Sequence, residues 1–262
     1  MENFIFKKAY GQNFLNDSNI INNIVKGANI KENSLVLEIG PGSGALTIEL
    51  SKVSKNVLCY EIDDRLEEIL DENLVHCNNV EIIFDDFMKR DIKSDISNYE
   101  YEHIYVVANL PYYITTPIIE KLIDSKISFE GITIMIQKEV GERFCAKEGS
   151  KDYSSITVFL NYYYDLKKLF IVSRNCFTPK PNVDSIVITL KSKKEKLALK
   201  NEDIFFKLIR DSFKFKRKNI RNNLKGYDLV KIENVLKNYG YDLTTRAEQL
   251  SLEIFVEIAN EL

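Results

Sequence analysis

Short apolar runs separated by stretches of helical periodicity recur along the first half of the chain and limit the folds open to it. Ser34 to Ile39, Asn56 to Ile62, Val80 to Phe84, His103 to Ala108 and Gly131 to Ile136 read as buried strands. Between them, Ala45 to Val53 and Asp64 to Leu74 carry apolar residues at helical spacing. This alternation predicts βαβ units and therefore a doubly wound α/β core with a mainly parallel sheet. Val183 to Leu190 follows the turn-forming Thr178-Pro179-Lys180-Pro181 and reads as one more strand, expected as an antiparallel edge. From about Glu202 onward, Ile204-Phe205, Leu208-Ile209, Phe213, Ile232, Val235 and Leu236 recur at helical spacing. The pattern predicts an α/β domain over 1–192 and a small C-terminal all-helical domain over 193–262.

A length of 262 residues accommodates one large and one small domain. No apolar run approaches the roughly 18 residues of a membrane span. The opening MENFIFKKAYGQNF lacks the order of basic, apolar and small-residue regions of a secretory signal, so the expected location is the cytoplasm. Cys59, Cys77, Cys145 and Cys176 are widely spaced and the histidines are His76 and His103, a set that predicts neither a zinc site nor a disulfide framework. The net charge of -3 conceals an asymmetry: Lys191 to Lys225 holds 13 Lys or Arg against 4 Asp or Glu, which is +9 and leaves -12 for the rest. Such a division is a footprint of a polyanionic partner. A solvated, lysine-rich helical face accounts for the same charge.

The first strand runs into Glu38-Ile39-Gly40-Pro41-Gly42-Ser43-Gly44 and then a helix, the form of a ligand-binding turn in which glycine allows close backbone approach. Its G-x-G-x-G spacing departs from the G-x-G-x-x-G of dinucleotide sites. The second strand ends at Tyr60-Glu61-Ile62-Asp63, where Glu61 is the candidate acceptor for two vicinal ribose hydroxyls. Asp85-Asp86-Phe87 after the third strand offers a carboxylate for an adenine amine and an aromatic face for its ring. An ordinary tight turn and exposed helix caps are the plainer readings of these residues taken singly. Their joint placement after successive strands argues for one ligand.

The fourth strand ends in Ala108-Asn109-Leu110-Pro111-Tyr112, which points to methyl transfer onto an exocyclic adenine amine. That nitrogen is a poor nucleophile because its lone pair is delocalised into the ring. Asn109 Oδ1 and a backbone carbonyl near Pro111 are expected to accept the two N6 protons and hold the lone pair toward the methyl donor. Tyr112 is expected to stack on the extruded base.

These motifs make the resemblance to a family specific. The chain resembles the KsgA/RsmA small-subunit (16S) ribosomal RNA adenine N6,N6-dimethyltransferase family over nearly its whole length. Matching segments are Tyr10-Gly11-Gln12-Asn13-Phe14-Leu15-Asn16-Asp17, the Glu38 to Gly44 turn, Asn109 to Tyr112, Gln137-Lys138-Glu139-Val140 and Gly149-Ser150-Lys151-Asp152-Tyr153. Phe177 to Ser185 and the basic Phe215-Lys216-Arg217-Lys218-Asn219 match as well. The resemblance implies a Rossmann-like S-adenosylmethionine-dependent methyltransferase core, with Asn13, Leu15, Gly40, Glu61, Asp86 and Asn109 contacting S-adenosylmethionine. It implies that Asn109, Leu110, Tyr112 and Phe177 shape the target-base pocket. The expected substrate is two adjacent adenines in the 3′-terminal hairpin of 16S rRNA, within an assembling 30S particle, and the expected acting form is a monomer without metal. Lys214, Lys216, Arg217, Lys218 and Arg221 are the expected phosphate contacts. Two departures from the family pattern, Tyr113 after the tyrosine and Thr178 after Phe177, fall at the pocket rim.

Two rivals share parts of this pattern. The related methylases of large-subunit rRNA that confer macrolide resistance overlap in the first domain, but Phe177 to Ser185 and the closing Arg246-Ala247-Glu248-Gln249-Leu250-Ser251 favour the small-subunit enzyme. A binding protein without turnover, such as an assembly factor, is disfavoured by the intact Asn-Leu-Pro-Tyr loop.

Overall fold

The computed structural model of the chain describes residues 12–15 and 17–262. Tyr10, Gly11 and Asn16 of the first matching segment lie outside the described residues. The chain packs into two units, residues 1–141 with 167–192, and residues 142–166 with 193–262.

The strands are β1 (Phe14–Leu15), β2 (Ser34–Ile39), β3 (Asn56–Glu61), β4 (Val80–Phe84), β5 (His103–Asn109), β6 (Gly131–Gln137), β7 (Tyr164–Val172), β8 (Phe177–Thr178) and β9 (Ser185–Ser192). The helices of the first unit are α1 (Ser18–Ala28), α2 (Ala45–Ser51), α3 (Glu67–Asn73), α4 (Ile92–Asp95) and α5 (Thr115–Asp124), followed by α6 (Lys138–Phe144), which runs across its boundary. Among the described residues, seven strands form one sheet in the order β4-β3-β2-β5-β6-β9-β7. β2 to β6 are parallel to their neighbours in this order, as their continuous apolar runs require, and β6 pairs with β9 antiparallel. Every residue of β2 is buried, and Leu35, Val36, Leu37, Val57, Leu58, Val106 and Val107 are wholly inaccessible. Each such side chain contributes about 1.5 to 3 kcal/mol on burial. α1 owes its start to Asp17, whose side chain accepts from the Asn19 and Ile20 amides at 2.9 and 3.2 Å. It ends at Asn29 in the left-handed region.

The doubly wound parallel sheet is the architecture the strand-helix alternation predicts, with one correction at its margin. β9 is antiparallel but does not form the edge, because β7 lies beyond it. The sequence of β7, Tyr-Asp-Leu-Lys-Lys-Leu-Phe-Ile-Val, places two lysines together in its middle and shows no continuous apolar run. Charges of this kind suit an edge strand, which they protect against further pairing. β1 and β8 form a separate antiparallel ladder that sets Phe14 opposite Thr178 and Leu15 opposite Phe177.

The second unit contains α7 (Ser155–Tyr163), α8 (Glu202–Ser212), α9 (Ile220–Asn223), α10 (Leu229–Asn238) and α11 (Leu252–Glu261). It joins residues 142–166 to residues 193–262. The cause is aromatic packing. Phe159 of α7 meets Phe206 of α8 edge to face at 4.9 Å between centroids, and Tyr162 meets Phe205 at 5.2 Å. No helix among the described residues is long and apolar enough to cross a membrane.

Candidate active site

The sheet order reverses direction between β2 and β5, and a cleft opens there at the carboxyl ends of the strands, where doubly wound sheets bind ligands. Asn13, Leu15, Gly40, Glu61, Asp86, Asn109, Leu110, Pro111 and Tyr112 all line it, so ten of the sequence's eleven assignments to cofactor and base, Asn109 counting twice, converge on one cavity. Phe177 does not line it. Its ring is 4% exposed and packs in the apolar cluster of Leu15, Ile21, Ile24 and Val187. Phe177 pairs across the β1–β8 ladder with Leu15, which does line the cleft.

The glycine turn is held against the second strand by a carboxylate. Gly42 N donates to Glu61 Oε2 at 3.2 Å, and Asp63 N donates to Glu61 Oε1 at 2.9 Å. Glu61 is 5% exposed. Burial pushes its pKa up, and the Asp63 and Gly42 amides oppose the rise. Gly42 has φ +60, and a Cβ there would stand 2.8 Å from the Phe14 ring. Glycine is therefore required both by the backbone and by the approach of β1. At Gly40 an added Cβ would meet nothing within 4 Å, so the turn faces open space in the cleft.

Two further carboxylates are buried beside Glu61: Glu38 lines the cleft, and Asp63 lies behind it with its amide bonded to Glu61. Glu38 is 1% exposed, and burial raises its pKa to about 7, with Thr47 and the Cys59 thiol acting in the opposite direction. Asp63 is buried and accepts from Arg65 Nε at 2.8 Å, from the second Arg65 terminal nitrogen at 2.6 Å and from Gln12 Nε2 at 2.7 Å. Arg65 above all holds its pKa below the ordinary carboxylate value. Glu38 and Asp63 stand inside the motifs Glu-Ile-Gly and Glu-Ile-Asp, but only the fold reveals their burial.

Opposite the glycine turn, Asp86 Oδ1 accepts from Met88 N at 2.9 Å and caps a single helical turn over Phe87–Lys89. Phe87 is 5% exposed and meets Tyr60 edge to face at 5.1 Å. Lys121 of α5 closes the other end of the turn, donating to Met88 O at 2.9 Å and Arg90 O at 2.6 Å, with its ammonium 5.6 Å from the Phe87 centroid. The sequence offers no motif for Lys121, because its role depends on α5 passing beside that turn.

The Asn-Leu-Pro-Tyr loop is fixed at each residue. Asn109 Nδ2 donates to Asn13 O at 3.1 Å, and Leu110 N donates to Met135 O at 3.0 Å. Pro111 O accepts from Ile114 N at 3.2 Å and Thr115 Oγ1 at 3.3 Å. The Tyr112 and buried Ser185 hydroxyls share a hydrogen bond of 2.6 Å. Tyr113 is 60% exposed at the cleft rim. Among the described residues no group of three or more His, Cys, Asp or Glu could hold a metal ion.

In the second unit, Lys214, Lys216, Arg217, Lys218 and Arg221 are all exposed, from the end of α8 to the start of α9. Lys216 Nζ donates to Lys151 O at 2.7 Å and so joins the basic segment to the Gly149 to Tyr153 motif.

A doubly wound parallel sheet with an antiparallel strand beyond it, an acidic residue after its second strand and an Asn-Leu-Pro-Tyr loop at its switch point defines a Rossmann-like methyltransferase. More narrowly, the ribosomal RNA adenine dimethylase family matches residues 3–262, and the chain belongs to that family. It is an S-adenosylmethionine-dependent enzyme that dimethylates adenine in ribosomal RNA. Ribosomal RNA small subunit methyltransferase A of Bacillus mycoides is 44% identical over 268 residues, 99% of this chain and 92% of its own length. The protein of the same description from Bacillus cereus is 44% identical over 269 residues, with the same coverage. Among solved structures, a dimethyladenosine transferase from Plasmodium falciparum superposes with a TM-score of 0.79 at 27% identity, covering 94% of this chain and 95% of that one. The 23S rRNA methyltransferase ErmE gives 0.74 at 27% identity, covering 95% and 99%.

Proposed function

We propose that the chain dimethylates two adjacent adenines in the 3′-terminal hairpin of small-subunit rRNA, acting in the cytoplasm as a monomer on an assembling 30S particle. The choice of subunit rests on the relatives of highest similarity described above, at 44% identity, being small-subunit enzymes, whereas the large-subunit ErmE stands at 27%. The α/β core over 1–192 carries the chemistry and the helical residues of 193–262 hold rRNA, with 142–166 as structural support of the latter.

The cleft fits S-adenosylmethionine in its donor set and its space. The open face of Gly40, the buried Glu61 carboxylate and the remaining oxygen of Asp86 match a chain, a ribose and an adenine amine. Glu61 accepts the Gly42 and Asp63 amides, and its carboxylate is the acceptor we assign to the ribose hydroxyls. S-adenosylmethionine supplies a methyl group activated on a sulfonium. Asn13 and Leu15 cover the cofactor side of the cleft, and Phe177 positions Leu15 from beneath.

One observation carries the account of chemistry. Asn109 Nδ2 is committed to Asn13 O, so Oδ1 is the atom left to accept a proton of the target N6 amine. Pro111 O already accepts from Ile114 N and Thr115 Oγ1, so the second proton falls to another backbone carbonyl beside Pro111. Two acceptors on the N6 protons orient the amine lone pair and raise its tetrahedral character, a gain made chiefly in the transition state. Tyr112, tethered through its hydroxyl to Ser185, presents its ring to the base. Transfer of labelled methyl groups to separated ribosomal subunits tests the reading: small subunits lacking the modification should accept label, and acceptance by large subunits alone would transfer the assignment to the resistance methylases.

A further inference from the structure

One side chain secures the turn between α8 and α9. Asn223 Nδ2 lies 2.7 Å from Ser212 O and 3.4 Å from both Phe215 O and Lys218 O, while its Oδ1 accepts from Phe215 N at 3.3 Å. Lys218 N donates to Phe215 O at 2.8 Å and closes the turn on itself. The backbone that carries Phe215 is thus held from both sides.

On this turn the Phe215 ring is 57% exposed. A single exposed aromatic means little by itself. Its surroundings distinguish it. No Asp or Glu occurs between Asp211 and Asp228, whereas Lys214, Lys216, Arg217, Lys218, Arg221 and Lys225 all do. Lys214 Nζ stands 5.7 Å from the ring centroid. An apolar protein partner would have to desolvate these cations without compensation, while a nucleic acid offers phosphates for them and a flat base for the ring.

We propose that Phe215 is a stacking platform for one unpaired base of ribosomal RNA, with the phosphates on either side of that base held by the adjoining cations. The proposal rests on the reading of the basic segment as an RNA contact and adds a nucleobase to it. Stacking on a preorganised ring gains affinity without releasing counterions, so its signature differs from that of the lysines and arginines.

The test is binding to unmethylated small ribosomal subunits across a salt series. Phe215→Ala and Phe215→Leu should each weaken binding about tenfold, within the range for loss of one stacked base, and leave the slope of log affinity against log salt unchanged. Phe215→Tyr should bind as the parent does. Arg217→Ala with Lys218→Ala should flatten the slope. Because the ring is exposed, the variants should melt with the parent. The chain contains no tryptophan, so Phe215→Trp adds a sole indole whose emission should be quenched on binding. Parental affinity in Phe215→Ala, or Phe215→Leu binding as well as Phe215→Tyr, would overturn the stacking role even with the slope still flattened by the double variant. Unchanged binding and slope in both sets would overturn the RNA reading and the stacking role together.

Discussion

Asn109 donates through Nδ2 to the backbone carbonyl of Asn13, 3.1 Å away, which joins the end of β5 to the segment leading into β1. The bond selects the rotamer and the free acceptor of the amide at once. Asn109→Asp keeps an oxygen for the target amine but sets a carboxylate against Asn13 O. Turnover should fall about 100-fold or more, the scale of losing one preorganised hydrogen-bonding group, while the fold persists. Single-turnover methylation with saturating cofactor checks this, and a rate within tenfold of the parent would remove the orienting role.

Glu61 is the structural link between the glycine turn and β3 as well as the proposed ribose acceptor. Glu61→Ala should weaken S-adenosylmethionine binding by about 1 to 3 kcal/mol, the cost of leaving buried donors unpaired. Calorimetric titration of the folded variant measures it; an affinity equal to the parent's would take Glu61 out of the cofactor site.

Lys121 touches the cleft only through the turn it caps. Lys121→Met removes both bonds to the Met88 and Arg90 carbonyls. The expected result is a KM for S-adenosylmethionine raised about three- to tenfold, equivalent to roughly 1 kcal/mol, with kcat nearly preserved. Lys121→Arg should recover much of the loss. A fall in kcat at unchanged KM would mean that the turn matters to the base and not to the cofactor.

The sheet was legible because its strands are buried on both faces and therefore apolar throughout, as in the runs at Ser34 and Gly131. β7 was not, since Lys167 and Lys168 interrupt an edge strand that needs no apolar continuity. The helical content of the C-terminal region followed from periodicity, yet the membership of α7 in the same unit depends on Phe159 and Tyr162 meeting Phe206 and Phe205, contacts that no local pattern encodes. Motif residues that face the cleft, such as Glu61 and Asn109, were readable because their chemistry demands a residue type at a strand end. Phe177 was less readable for the converse reason: an aromatic beside a motif looks the same whether it faces a ligand or packs beneath the residue that does.

Glu38 adds a pH dependence of known sign. Its folded pKa, about 7, lies above the ordinary 4.5, so the folded state binds the extra proton between these values. Its contribution to stability is full below about pH 4.5 and is lost as pH rises through 7. The isosteric Glu38→Gln carries no such charge and should gain stability relative to the parent with rising pH, by about 3 kcal/mol at pH 8. Denaturant melts of both proteins at pH 5 and pH 8 provide the comparison; an equal difference at the two values would mean that Glu38 titrates normally.

Mass spectrometry of rRNA digests identifies the product and its position in the RNA. Small subunits from cells lacking this modification, incubated with the chain and S-adenosylmethionine, should yield N6,N6-dimethyladenosine at two adjacent positions of the 3′-terminal fragment, four methyl groups per particle. Asn109→Ala should leave that fragment unmodified. Dimethyladenosine confined to large-subunit rRNA, or unmodified adenines in the 3′-terminal fragment after reaction with the parent enzyme, would contradict the account.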